Sequence, residues 1–98
     1  MCGIAGLVDF RSRSPQVDVL DAMCAALGRR GPDDRGVLVK GPCGLAHTRL
    51  SIIDVALSRQ PMTSADGVFA LSFNGEIYNY RRLRAALAQS GHSFTTNG

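Results

Sequence analysis

This sequence of 98 residues has no strong excess of charge: 11 Lys and Arg stand against 8 Asp and Glu, for a formal net charge of +3, and the basic residues are not gathered into one run. A weak, scattered positive balance does not call for nucleic acid as a partner. The densest basic stretch, Arg81, Arg82 and Arg84, falls on a predicted helix and lacks the interleaved aromatics of a base-stacking platform, so a solvated helix face is its expected role. Cysteine is scarce as well. Cys2, Cys24 and Cys43 are odd in number and form no C-x-x-C pair, which argues against both a disulfide framework and a zinc site. A reducing cytoplasm and no bound metal are the expectation. No apolar run approaches the length of a membrane span and no charged leader precedes one, so the chain is expected to be soluble and untargeted. Internal repeats, low-complexity tracts and linkers are also missing.

What is present is an ordinary globular composition, 45% hydrophobic and 19% charged, in a length that allows at most one small domain. Residues 3–10 form a short apolar run rich in Ile, Leu and Val with two glycines, read as a buried strand starting near the N-terminus. Ser14 before Pro15 reads as an N-cap with proline at the first helical position. Val17, Leu20, Met23, Cys24 and Leu27 then recur at helical spacing, giving a helix over about 15–27 stopped by Gly28. Cys24 belongs to that apolar stripe and is expected in the core.

Residues 29–36 are dense in turn formers and charge, either a plain connector or part of a site. Residues 36–40 and 43–51 flank Gly41-Pro42 and read as two strands joined by a tight turn. A period of two on the second puts His47, Arg49 and Ser51 on one face and Ala46, Thr48, Leu50 and Ile52 on the other. Residues 57–66 look like loop, and Asp66-Gly67 like a turn before a strand over 68–73. Tyr80, Leu83 and Leu87 mark a second helix closed by Gly91, and residues 92–96 are read as the start of another strand. This order of elements gives an α+β sandwich.

Cys2 is the most informative position. A small residue after the initiator methionine permits its removal, which would leave a thiol beside a free α-amine. The amine, with an ordinary pKa of ~7.7–8.0, is matched to take the proton of a thiol of pKa ~8.5 without a separate histidine. The same residue is also acceptable as a small hydrophobe in a buried strand. Asn74-Gly75 at a strand end offers a side-chain amide and an unobstructed backbone N–H to a developing oxyanion, or else forms a hairpin turn. Arg49 carries a planar fork suited to an amino-acid carboxylate, or to a surface ion pair.

Taken in order, Cys2-Gly3-Ile4-Ala5-Gly6, Arg30-Gly31-Pro32-Asp33 with Gly36, Leu45-Ala46-His47-Thr48-Arg49-Leu50-Ser51-Ile52-Ile53-Asp54, Gln60-Pro61-Met62 and Phe73-Asn74-Gly75-Glu76-Ile77-Tyr78-Asn79 resemble the motifs of class II, N-terminal-nucleophile glutamine amidotransferases. Within that class the blocks look like the asparagine synthetase branch. The resemblance spans the chain; it departs at Arg29, where the family usually has histidine.

The resemblance implies an N-terminal-nucleophile hydrolase-like sandwich of antiparallel sheets with helices, incomplete here. Residues 1–98 would be the N-terminal part of a type-2 amidotransferase domain. It implies Cys2 as nucleophile and Asn74 and Gly75 as the oxyanion hole. Arg49, Leu50, Ser51, Ile52, Ile53, Asn74, Gly75 and Glu76 would bind L-glutamine. A Ser-Asp pair that holds the substrate amine in the family would follow beyond Gly98. No cofactor is implied for this segment; ATP and Mg²⁺ would serve a separate synthetase domain, or complementing chain, that carries the ammonia acceptor. A homo-oligomer is compatible with it. The segment alone is expected to be marginally folded and to hydrolyse little glutamine. The alternative is a non-catalytic scaffold or oligomerisation module in which Cys2 is core.

Overall fold

The structure, a computed structural model, describes residues 1–11, 13–50 and 58–97. Strand β1 (Gly3–Val8), helix α1 (Val17–Ala26) and strands β2 (Asp34–Lys40) and β3 (Cys43–Arg49) form the main body. Strands β4 (Met62–Thr63) and β5 (Ala70–Leu71) and helix α2 (Tyr80–Gln89) complete a small α+β arrangement of antiparallel sheets and helices.

The first sheet has the order β1-β3-β2, with both neighbours antiparallel to β3. Gly41, at φ 55°, supplies the left-handed backbone that lets two residues reverse the chain between β2 and β3. Strand β2 begins at Asp34, two residues earlier than the apolar pattern indicates, because Asp34 pairs with Arg49 and extends the ladder into the charged loop.

Helix α1 covers one face of this sheet. Leu20, Cys24 and Ala46 form the buried core, with Ala5, Leu7, Met23, Val37 and Val39 packed around them. Cys24 is 1% exposed, so it takes the core position its helical spacing indicates. The Thr48 hydroxyl ties the same face to the helix end by donating to the Leu27 carbonyl at 3.3 Å. Ser14-Pro15 is not the start of the helix: Gln16 is extended at the cap, and Pro15 is buried beside Gly44 on β3. Burying the proline ring against the sheet overrides the local cap signal.

The segment from residue 60 to 73 lies on the opposite face. Gly36 makes this close approach possible, since a Cβ there would run into the Gln60 carbonyl oxygen. The Ser72 hydroxyl donates to the Ala46 carbonyl at 3.2 Å, and His47 Nε2 lies 3.2 Å from the Phe73 carbonyl oxygen. Residues 57–66, read as loop, contain β4, and the strand read over 68–73 shrinks to β5. The expected turn at Asp66-Gly67 is there: Gly67 has φ 72°, Gly67 N–H donates to the Ser64 carbonyl at 2.9 Å, and the Asp66 carboxylate accepts from the Ser64 hydroxyl and Val68 N–H. The Ser64 hydroxyl, then the Val68 N–H, hold the Asp66 carboxyl below its ordinary range. Toward β1, Ile4 and Val8 are exposed, and a trough of about 500 Å³ runs past Val8, Leu38, Leu45 and Val68.

Helix α2 ends where Gly91, at φ 91°, lets His92 N–H reach back to the Leu87 carbonyl at 3.0 Å. None of its residues is buried. Residues 92–96 form no strand, because the chain folds back so that the Phe94 ring lies 4.6 Å from the Arg84 guanidinium. Arg81 and Arg82 are exposed, as a solvated helix face requires, whereas Arg84 is half-buried against Phe94. Among the described residues no helix is long and apolar enough to cross a membrane.

Candidate active site

The Gly3–Thr48 pair closes the ladder between β1 and β3 and sets Cys2 beside the end of β3. There the Leu50 N–H donates to Cys2 Sγ at 3.4 Å, and Sγ lies 3.8 Å from the Leu50 carbonyl oxygen. Arg30 Nε donates to the Cys2 carbonyl at 3.3 Å, so a loop residue 28 positions away holds the main chain of the thiol-bearing residue. Cys2 is half-buried, whereas Met1 before it is 70% exposed.

The loop that carries Arg30 is fastened to β3 by its backbone. Pro32 forms a parallel bridge with Arg49, and Asp33 N–H donates to the Arg49 carbonyl at 2.9 Å. The loop is therefore more than a connector. Arg49 is only 6% exposed, so it does not stand on the surface. Strand alternation puts His47 and Arg49 on the face away from α1, where Gln60 and Phe73 lie. Cys2, one residue before Gly3, has the same parity.

Asn74 and Gly75 follow Phe73 directly, Asn74 half-buried and Gly75 exposed. They do not make a hairpin: Gly75 is not among the glycines with positive φ that a primed turn requires, and the chain continues into α2 rather than a pairing strand. Glu76 and Leu50 are exposed. Ser51, Ile52 and Ile53 lie outside the described residues.

Two residues of the quoted motifs, without a role in the sequence reading, are the ones that fix this corner. Gln60 Oε1 accepts from Phe73 N–H at 2.6 Å, and His47 holds the Phe73 carbonyl from the other side. The signal for His47 was its place on the same strand face as Arg49. A carbonyl oxygen only accepts, so Nε2 carries the proton in this tautomer. His47 is 1% exposed, and burial pushes its pKa below the ordinary 6.5. The Phe73 bond opposes that push; nearby Arg49 adds to it and Asp34 offsets it.

This depression has a stability consequence. As pH falls, the unfolded chain binds the proton first, so the contribution of neutral His47 is complete above about 6.5 and is lost as pH drops through the lower folded value. The unfolding temperature of the intact protein should fall on acidification from neutrality, and less steeply in His47→Gln. Equal slopes for the two proteins would remove His47 as the source.

A profile of the glutamine amidotransferase domain family matches residues 1–98, and the chain belongs to that family. It is 39% identical over 99 residues to asparagine synthetase [glutamine-hydrolyzing] 2 of Bacillus subtilis (strain 168), a match covering 98% of this chain and 13% of the relative. It is 42% identical over 98 residues to asparagine synthetase [glutamine-hydrolyzing] of Triphysaria versicolor, covering 98% and 16%. To the root asparagine synthetase [glutamine-hydrolyzing] of Pisum sativum it is 40% identical, also over 98 residues, covering 98% and 16%. The chain thus spans less than a fifth of the length of these relatives.

Proposed function

We propose that this domain hydrolyses L-glutamine at Cys2 and supplies the ammonia to an asparagine-forming synthetase domain or complementing chain. The observation that carries the reading is the placement of a second-position cysteine beside the end of β3, its sulfur at the Leu50 N–H and its main chain held by Arg30. The family match and the names of the relatives give the reaction class.

Removal of exposed Met1 frees the Cys2 amine. That amine takes the thiol proton, and the sulfur attacks the glutamine side-chain carbonyl carbon. Asn74 and the Gly75 N–H stabilise the resulting oxyanion. When the tetrahedral adduct collapses, the C–N bond breaks, the ammonium formed at Cys2 returns its proton to the nitrogen, and ammonia leaves. Water then adds to the thioester, releasing glutamate and restoring the thiol. Arg49 clamps the substrate α-carboxylate, and Leu50, Ser51, Ile52, Ile53 and Glu76 line the pocket. No step needs a cofactor; ATP and Mg²⁺ belong in this reading to the synthetase domain that activates the acceptor. Three unpaired thiols, Cys2, Cys24 and Cys43, suit a reducing cytoplasm.

Arg49→Lys tests the substrate assignment, because it keeps the charge and discards the bidentate fork. In the intact protein the glutamine KM should rise about tenfold, equivalent to ~1.4 kcal/mol, the scale of one charge-assisted hydrogen bond. An unchanged KM would take Arg49 out of the pocket. Stoichiometric labelling of processed Cys2 by a glutamine-like electrophile tests the reading as a whole, and a folded protein that resists it would be a scaffold.

A further inference from the structure

We propose that His47 and Gln60 are positioning residues that hold the main chain of Phe73 on either side of its Cα and thereby aim the oxyanion donors of Asn74 and Gly75. The inference rests on the role given to those donors above and adds the device that orients them. A peptide group is planar, so the Phe73 carbonyl and the Asn74 N–H point in opposite directions from one rigid plate. Whatever holds the carbonyl fixes that plate, and only the Asn74 dihedrals then separate it from the Asn74 side chain and the Gly75 N–H.

His47 Nε2 donates to this carbonyl at 3.2 Å, and Gln60 Oε1 accepts the N–H on the other side of Phe73 at 2.6 Å. Ser72, one residue earlier, is tied to the Ala46 carbonyl at 3.2 Å. The two arms come from different places in the chain. His47 stands on β3 next but one to Arg49, and Gln60 is seated over Gly36, where only a residue without a Cβ leaves room. His47 is buried, so its ring is held in place by the packing around it. Donor placement matters steeply in acyl transfer: an error of about 1 Å costs up to about 100-fold in rate. The clamp thus links the oxyanion corner to the strand that carries the proposed carboxylate clamp.

The test compares variants of the intact protein by glutamine-dependent ammonia release. His47→Phe keeps a ring of similar size and removes the donor; kcat should fall about 10- to 100-fold with glutamine KM changed less than about threefold. His47→Gln, which restores an N–H donor, should recover to within about threefold of wild type. Gln60→Met should lower kcat as His47→Phe does, and Gln60→Glu, which keeps an acceptor, should not. Because the two arms hold the adjoining peptide groups of one residue, the double variant His47→Phe with Gln60→Met should lose less than the product of the single losses. Wild-type kcat in folded His47→Phe, a loss that His47→Gln does not rescue, or fully multiplicative losses would overturn the clamp. If His47→Phe does not fold, the Gln60 pair makes the same comparison and decides it. Asn74→Ala separates the two levels of the argument. If it keeps full kcat, the oxyanion assignment is wrong and the clamp falls with it; if it loses kcat while His47→Phe does not, the clamp alone falls.

Discussion

Cys2→Ala in the intact protein is expected to release ammonia from glutamine at least about 10³-fold more slowly than wild type, the scale on which loss of a covalent nucleophile is felt. Its folding should change little. Cys2 is half-buried at the edge of the sheet, and among the described residues its sulfur makes long contacts with the Leu50 backbone, at 3.4 and 3.8 Å. Truncating such a side chain costs about 1 kcal/mol or less. A large loss of hydrolysis with a nearly unchanged unfolding temperature separates a reacting thiol from a core cysteine. The reverse pattern, retained hydrolysis with reduced stability, would return Cys2 to the core. Cys24→Ala supplies the contrast: Cys24 is 1% exposed in the cluster with Leu20 and Ala46, so the variant should lose stability and keep the chemistry.

The second large effect is structural. Gly31→Ala should destabilise the domain by about 3 kcal/mol, the upper range for forcing extra volume into a packed site. A Cβ on Gly31 would fall on the Thr48 carbonyl group and the Arg49 nitrogen. These are backbone atoms of a paired strand and cannot turn aside as a side chain can. The same contact docks the loop that holds Cys2, through Arg30 to the Cys2 carbonyl, Pro32 bridging Arg49 and Asp33 N–H to the Arg49 carbonyl. Glutamine hydrolysis should therefore decline along with stability. Gly6→Ala is the control on β1, because its Cβ would meet Leu45 Cδ2 at 3.4 Å and the Gly44 carbonyl at 3.5 Å, ordinary packing distances. Its cost should stay within about 1 kcal/mol. Chemical denaturation of the three proteins measures this, and equal midpoints would show that the loop is not packed on β3 as described.

The sequence discloses those parts of the fold that local chemistry dictates. The β1 run, the Gly41-Pro42 reversal, the stripe from Leu20 to Leu27 and the Gly91 stop each depend on neighbours a few residues away. Elements set by distant contacts read poorly. Ser14-Pro15 has the local form of a helix start, yet burial of Pro15 beside Gly44 moves the start to Val17. Strands β4 and β5, two residues each, are too short to show a period, and their pairing depends on the Ser64–Asp66 turn. Residues 92–96 have strand-like composition, but Phe94 packs on Arg84.

The site divides in the same way. Cys2, Arg49, Asn74 and Gly75 were ambiguous one by one, and the roles proposed for them come from the family resemblance of the ordered motifs. His47 and Gln60 had no assigned role, because their partner is the backbone of Phe73, and no side-chain type announces a bond to a peptide group 26 or 13 residues away. For Arg49 the structure adds its burial, which a period of two does not disclose.

Mass spectrometry of the intact protein, quenched in acid while it turns over glutamine, tests the central claim most directly. The account predicts a chain that begins at Cys2, with Met1 removed, and a fraction of molecules carrying a glutamyl group on the peptide that contains Cys2 and lost in Cys2→Ala. A protein that hydrolyses glutamine while retaining Met1, or that carries the glutamyl group on Cys24 or Cys43, would contradict it.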